Sequence, residues 1–170
     1  MTYKELFEIT CIETYNNFGS VVKSVSLEDI DNLCKIIKNS LVEKEETESA
    51  IETLCDLFTS NKLDSEETSL IYYRVFAFIN NLTLDYRAQK LLSFHKKAFD
   101  HFEKIGDNKG IILIGVYLVD AIMSFENDST TVTNILDKAL SSAIKIDENR
   151  GDLYETILKE SKISYWRNKV

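Results

Sequence analysis

Residues 108–125 read NKGIILIGVYLVDAIMSF, and from Ile111 to Phe125 the only charge is Asp120. A helix with apolar side chains pointing in every direction has to be covered on several sides. The run is short for a bilayer span of about 20 residues. A carboxylate near its middle would also be costly in lipid. It therefore reads as the central helix of an all-α protein. Residues 70–79 are similar and carry only Arg74. Both stretches are expected at the centre, flanked by more amphipathic helices.

Working outward, apolar spacing and cap residues predict about eight helices, joined by short connections that make sequential helices antiparallel neighbours. The first covers residues 3–18, with Leu6, Phe7, Ile9, Ile12 and Tyr15 inward and Gly19 as its end. Residues 21–25 suit a short extended piece. Ser26 caps the second helix, whose stripe is Leu27, Ile30, Leu33, Ile37 and Leu41. The acidic run at residues 43–48 opens the third, where it complements the helix dipole and forms a solvated face. The inner face of that helix is Ala50, Ile51, Leu54, Leu57 and Phe58.

Asp64 and Glu67 form a capping box for the fourth helix, through Leu70, Tyr73, Phe76 and Ile79. Thr83 is the expected cap of a long fifth helix that runs to Ile105 and ends at Gly106. After the sixth, at 108–125, Asp128 or Ser129 opens the seventh, through Val132, Ile135, Leu136, Ala139, Leu140 and Ala143. The eighth covers residues 152–166.

Composition agrees with this reading. Among 170 residues there is no proline, so nothing interrupts the helical hydrogen-bond ladder. A chain of this length favours one domain and can bury a sizeable core. The net charge of −8 is uneven: residues 1–85 hold 16 acidic and 7 basic side chains, and residues 86–170 hold 12 and 13. The acidic front half would repel phosphates, which argues against nucleic acid as a partner. Cys11, Cys34 and Cys55 are odd in number and far apart, with no CxxC pair, so neither zinc nor a disulfide framework is signalled. Buried free thiols in a reducing cytoplasm fit them best. The first residues lack the apolar core of a secretory signal.

A period of 41 residues relates the fifth helix to the seventh. Leu91 corresponds to Val132, Ala98 to Ala139, Phe99 to Leu140 and Ile105 to Ile146. The turn Asn108-Lys109-Gly110 corresponds to Asn149-Arg150-Gly151. One period earlier, the fourth helix falls on the sixth, and these are the two that are apolar all round.

Over residues 85–151 the pattern of Ala98, Phe99, the Phe102–Gly110 turn, Gly115, Ala139 and Leu140 resembles tetratricopeptide repeats. The GDNKG turn is similar to those of bacterial peptide-sensing regulators of the Rap and PlcR type. The resemblance implies paired antiparallel helices stacked into a superhelix whose concave face binds a peptide or protein. It places Gly115 and Ala139 at the small-residue positions of the motif. The chain departs from the pattern in its period, which exceeds the usual length of roughly 34 residues, and in lacking a proline at the repeat end. Ile112, Val116 and Val119, which would face the groove, are apolar.

No catalytic constellation is visible. His95 and His101 are six residues apart and lie on different helix faces, so they cannot share a metal through local spacing. His95 falls where the repeat places an aromatic core residue, and a structural histidine is expected. The five glycines form no phosphate loop: four read as helix ends or starts, and Gly115 as close packing. Arg74 matches Gly115 in height. Asp120 lies five residues beyond Gly115, roughly 7.5 Å along the axis at ~1.5 Å per residue. The two charges are expected as a buried ion pair or as separately solvated ends. The functional alternative is a charged pair lining a cleft. Near the C-terminus, Lys159, Lys162, Tyr165, Trp166, Arg167 and Lys169 suit a docked terminal helix with solvated amines.

The expectation is a single helical domain over residues 1–170, with acidic helices over 1–63 and tetratricopeptide-like pairs over 64–170. It is a cytoplasmic, non-catalytic, regulatory protein that binds a peptide or another protein, with self-association as a further mode. Arg74, Ile112, Val116, Val119 and Asp120 are its candidate partner-binding residues. No catalytic residue, metal, cofactor or membrane contact is assigned. One rival is an acidic helical inhibitor or decoy, of the kind encoded by mobile elements, that blocks a basic site. The other is an enzyme whose site is assembled only by the fold.

Overall fold

The computed structural model describes residues 5–6, 8–9, 24–80, 82 and 84–146. Among them the fold is all-α: seven helices and no strand. They are α1 (Leu27–Lys38), α2 (Lys44–Thr59), α3 (Ser65–Ile79), α4 (Tyr86–Lys90), α5 (Leu92–Ile105), α6 (Asn108–Phe125) and α7 (Ser129–Ile146). Of the first expected helix, Glu5, Leu6, Glu8 and Ile9 are described and helical. The eighth, the aromatic and basic C-terminal stripe, Cys11, Gly19 and Gly151 lie outside the described residues.

Backbone contacts gather the described residues into two compact units. One lies within residues 11–94 and holds α1 to α4. The other draws on residues 1–10 and those from 95 onward, with most of α5, α6 and α7.

In the first unit, α1 begins where the Ser26 side chain accepts a hydrogen bond from the Asp29 N–H. It buries Ile30, Cys34 and Ile37, spaced one helical turn apart. It carries acids in its first turn and lysines in its last, as the dipole favours. The helix stops at Lys38, because Asn39 is extended and its Oδ1 accepts from the Leu41 N–H. Leu41, expected on the inner stripe, therefore stands in the connection and is 92% exposed. The connection of residues 39–43 returns the chain antiparallel along α2.

The capping box of α3 is formed as expected, with the Glu67 N–H donating to Asp64 and the Asp64 N–H donating to Glu67. The buried Glu67 carboxylate also accepts from the backbone N–H and hydroxyl of Ser24. One turn pair further on, Arg74 of α3 donates to Asp31 of α1. Both contacts span 43 residues. Ser24 lies just before α1 and Asp31 on it, so a constant offset at the two heights means that the chain entering and forming α1 runs parallel to α3. Phe58, Tyr72 and Phe94 close this unit's core as a ring cluster, with Phe58 stacked on Tyr72 at 4.2 Å.

The long fifth helix expected from Thr83 to Ile105 is divided. Asp85 caps α4 by accepting from the Arg87 N–H, and the buried Leu91, whose backbone stays in the right-handed helical region and whose N–H bonds back to Arg87, separates α4 from α5. Arg87 also reaches the Ile37 and Lys38 carbonyl oxygens and so satisfies the open end of α1.

In the second unit, Gly106 has a φ of +73°. Its N–H bonds back to Glu103 and the Asp107 N–H to Phe102, the pair of bonds that closes a helix through a left-handed residue. Asp107 then caps α6 through the Lys109 and Gly110 N–H groups. Twelve of the eighteen residues of α6 are buried, as an all-round apolar helix requires. By length and composition α6 could cross a bilayer, and 61% of that window is buried in protein. Gly110 was expected to open the helix, but it does more. A Cβ there would lie 2.3 Å from the Phe102 ring, so the glycine is a packing position as well. Gly115 meets Phe99, Ile135 and Ala139 with less compression.

Candidate functional site

The candidate site is a groove between α1 and α2, of about 450 Å³. Leu33 and Ile36 of α1 line one side. The other side is Glu43, Glu45, Glu46, Ser49, Ala50 and Thr53. Leu33 and Ile36 are only half-buried, because the burial stripe of α1 passes through Ile30, Cys34 and Ile37 instead. On α2, Glu46, Ser49, Ala50 and Thr53 follow the i, i+3, i+4, i+7 spacing, which puts them on one face. Ala50 is buried among them. Thr53 turns its hydroxyl back to the Ser49 carbonyl oxygen at 2.8 Å.

The groove therefore has an apolar floor, one wall of small side chains and a rim of carboxylates. Glu43 occupies the position before α2 without forming a side-chain cap. Among the described residues no hydrogen bond or ion pair holds the carboxylates of Glu43, Glu45 or Glu46. The neighbouring Lys44 stands 4.0 Å from Glu48 and over the Tyr86 ring. From the sequence this acidic run is legible only as a solvated helix start, and the groove is not. The missed signal was the stripe of short side chains on α2 opposite an apolar pair three residues apart on α1.

The residues singled out from the sequence lie elsewhere. Arg74 pairs with Asp31 through two bonds, Nε to Oδ1 at 3.0 Å and Nη2 to Oδ2 at 2.8 Å, with the side chains 17% and 22% exposed. Asp31 was not anticipated as its partner. Arg74 also lies over the Phe78 ring. Asp120 is half-buried in α6, within the other unit. Ile112 and Val119 are fully buried and Val116 nearly so, which makes them core residues with no face presented to a partner in this structure.

Of the histidines and described cysteines, His95 and Cys34 are enclosed, whereas His101 and Cys55 are half-buried, so Cys55 departs from the buried thiol expected of it. His95 is fully buried against the edge of Tyr117, and burial pushes its imidazole down to about 3. Burial, followed by the charge of Asp31, pushes the Cys34 thiol up to about 12, so it stays protonated at neutral pH. His101 is half-buried, and its imidazole is lowered mainly by burial. Among the described residues no group of three His, Cys, Asp or Glu side chains could hold a metal ion.

No protein-family model matches the chain, and no curated protein or solved structure matches it.

Proposed function

We propose that this chain is a non-catalytic helical module that binds a segment of another protein in the α1–α2 groove. The observation that supports the reading most is the floor of that groove. Leu33 and Ile36 stay half-exposed beside a wall that small side chains keep open. Covering such a surface is favourable at roughly 25 cal/mol per Å² of apolar area.

The tetratricopeptide-like reading belongs with it. Parallel packing of α1 on α3 at an offset of 43 residues is how the first helices of consecutive repeats meet. It lies close to the 41-residue period in the sequence. The enclosure of Cys34 and His95 fits a binding role better than a chemical one. A reducing, cytoplasmic setting suits the buried Cys34 thiol.

The test is selection of random peptides displayed on phage against the full chain, with Ser49→Arg and Thr53→Arg as groove-filling controls. Both positions are exposed, so the fold should survive. Enriched peptides that lose binding to the filled groove support the reading. Failure to enrich, or binding indifferent to the filling, overturns it.

A second reading, an acidic decoy that blocks a basic site, draws on the three rim carboxylates that have no ion-pair partner among the described residues. Its binding should collapse between about 0.01 M and about 1 M salt, over which the screening length falls from roughly 30 Å to roughly 3 Å. Binding by apolar burial should survive that change.

A further inference from the structure

The occupant of the groove can be specified more closely, on the premise that the groove is the binding site. We infer that it is an amphipathic helix of a partner protein, apolar on the face toward Leu33, Ile36 and Ala50 and carrying lysine or arginine toward Glu43, Glu45 and Glu46.

Backbone hydrogen bonding favours a helix. Both walls are helices whose N–H and C=O groups bond within their own ladders, so they offer no edge with which an extended chain could pair. An extended segment pressed on the apolar floor would leave buried backbone groups unsatisfied. A helix brings its own bonds. The wall also fits one. Ser49, Ala50 and Thr53 are short, and they lie on one face of α2 where a second axis can approach to roughly 8–10 Å. From Glu43 to Thr53 the wall runs roughly 15 Å at ~1.5 Å per residue, which is about three turns of a partner helix.

Charge complementarity favours a basic flank. α2 carries five acidic residues against one lysine, and that lysine stands beside Glu48. Glu43, Glu45 and Glu46 therefore face the groove rim as like charges with no counter-ion among the described residues. A cationic side chain arriving there relieves their repulsion and speeds encounter. The same rim disfavours an acidic helix, an anionic membrane or a phosphate backbone.

The experiment uses a fluorescent synthetic peptide of leucine and lysine, about 16 residues long, with leucines at i, i+3, i+4 and i+7. It is titrated against the full chain and followed by anisotropy and circular dichroism. Binding is expected with a gain in helicity, and it should weaken at least about tenfold against Glu45→Lys/Glu46→Lys or against Thr53→Arg. A version with glutamate in place of lysine should bind at least about tenfold more weakly, as should a version broken by a central proline. Equal binding by the proline version, or by a scrambled peptide of the same composition, overturns the helix and leaves charge alone. Equal binding by the acidic version overturns the basic flank, as does failure of the leucine–lysine peptide to bind at all. If phage selection still yields peptides that need the open groove, only this inference has failed. If it yields none, the premise has failed as well.

Discussion

Replacing Gly110 with alanine sets two effects against each other. Alanine is better than glycine by about 1 kcal/mol in a helix interior, which is an upper bound for Gly110 in the first turn of α6, so on propensity alone the variant should be no less stable. The added Cβ would lie 2.3, 2.4 and 2.7 Å from Cγ, Cδ1 and Cδ2 of Phe102. Carbon atoms rest at about 3.5–4.0 Å, so the ring or the helix has to give by more than about 1 Å. Phe102 is fully buried, and Cγ is the ring's point of attachment, so a rotation about the ring axis does not relieve the contact. Overpacking of this kind costs up to about 3 kcal/mol. The net expectation is a loss of about 2 kcal/mol, or roughly 4–8 °C in Tm for a chain of this size.

Urea unfolding followed by circular dichroism measures the loss. Gly115→Ala serves as the comparison, because its Cβ would stand 3.2 Å from Phe99 and 3.4 Å from Ala139 and Ile135. It should stay within about 1 kcal/mol of wild type, with propensity and mild crowding offsetting each other. A Phe102→Leu background removes the obstructing ring, and the cost of Gly110→Ala should shrink there by at least about 1 kcal/mol. A Gly110→Ala protein as stable as wild type would refute the packing of α5 on α6 described above.

Three further outcomes follow from other parts of the molecule. Asp31→Asn and Arg74→Met should each lose about 2 kcal/mol, between the 0–1 of surface pairs and the 3–5 of buried ones. A double-mutant cycle should show them coupled, and additive losses would contradict the bidentate pair. His95 is held neutral in the fold, with its pKa near 3 against 6.5 when exposed. The unfolded chain therefore binds a proton first, and stability should fall as pH drops from about 6.5 toward 3, at up to about 1.4 kcal/mol per pH unit from this residue. His95→Phe should flatten that slope, and an unchanged slope would place the histidine in water. The Cys34 thiol, raised to about 12 and buried, should resist iodoacetamide at pH 8 in the native protein and react in urea, as read by peptide mass spectrometry. Native labelling at Cys34 would contradict its burial.

The helical class was readable because it rests on local physics. The spacing around Ile111–Phe125, the capping box of Asp64 with Glu67 and the glycine that ends α5 are all settled within a few residues of chain. The end of α1 was not. Leu41 continues the apolar spacing of Leu33 and Ile37, yet an Asn39 side chain bonded to the loop stops the helix three residues earlier. The partner of Arg74 was not readable either. Asp31 is 43 residues away, in a helix whose sequence marks it only as one exposed acid among several. Gly110 looked like a helix start because its turn supplies that signal, whereas its contact with Phe102 depends on how α5 folds back.

The groove is not legible in the sequence for a related reason. Ser49, Ala50 and Thr53 are unremarkable on a helical wheel, and Glu43, Glu45 and Glu46 suit a helix start whatever else they do. Only the antiparallel return of α2 along α1 sets them opposite Leu33 and Ile36. The interior positions of Ile112, Val116 and Val119 follow from the same logic in reverse, since an all-round apolar helix fills a core before it lines a cleft.

The most direct test of the groove as a binding site is an NMR titration of the isotopically labelled full chain with a peptide taken from the phage selection. The account predicts amide shifts concentrated at Leu33, Ile36, Glu46, Ser49, Ala50 and Thr53. A saturating titration whose shifts fall elsewhere, with these six unmoved, would contradict it.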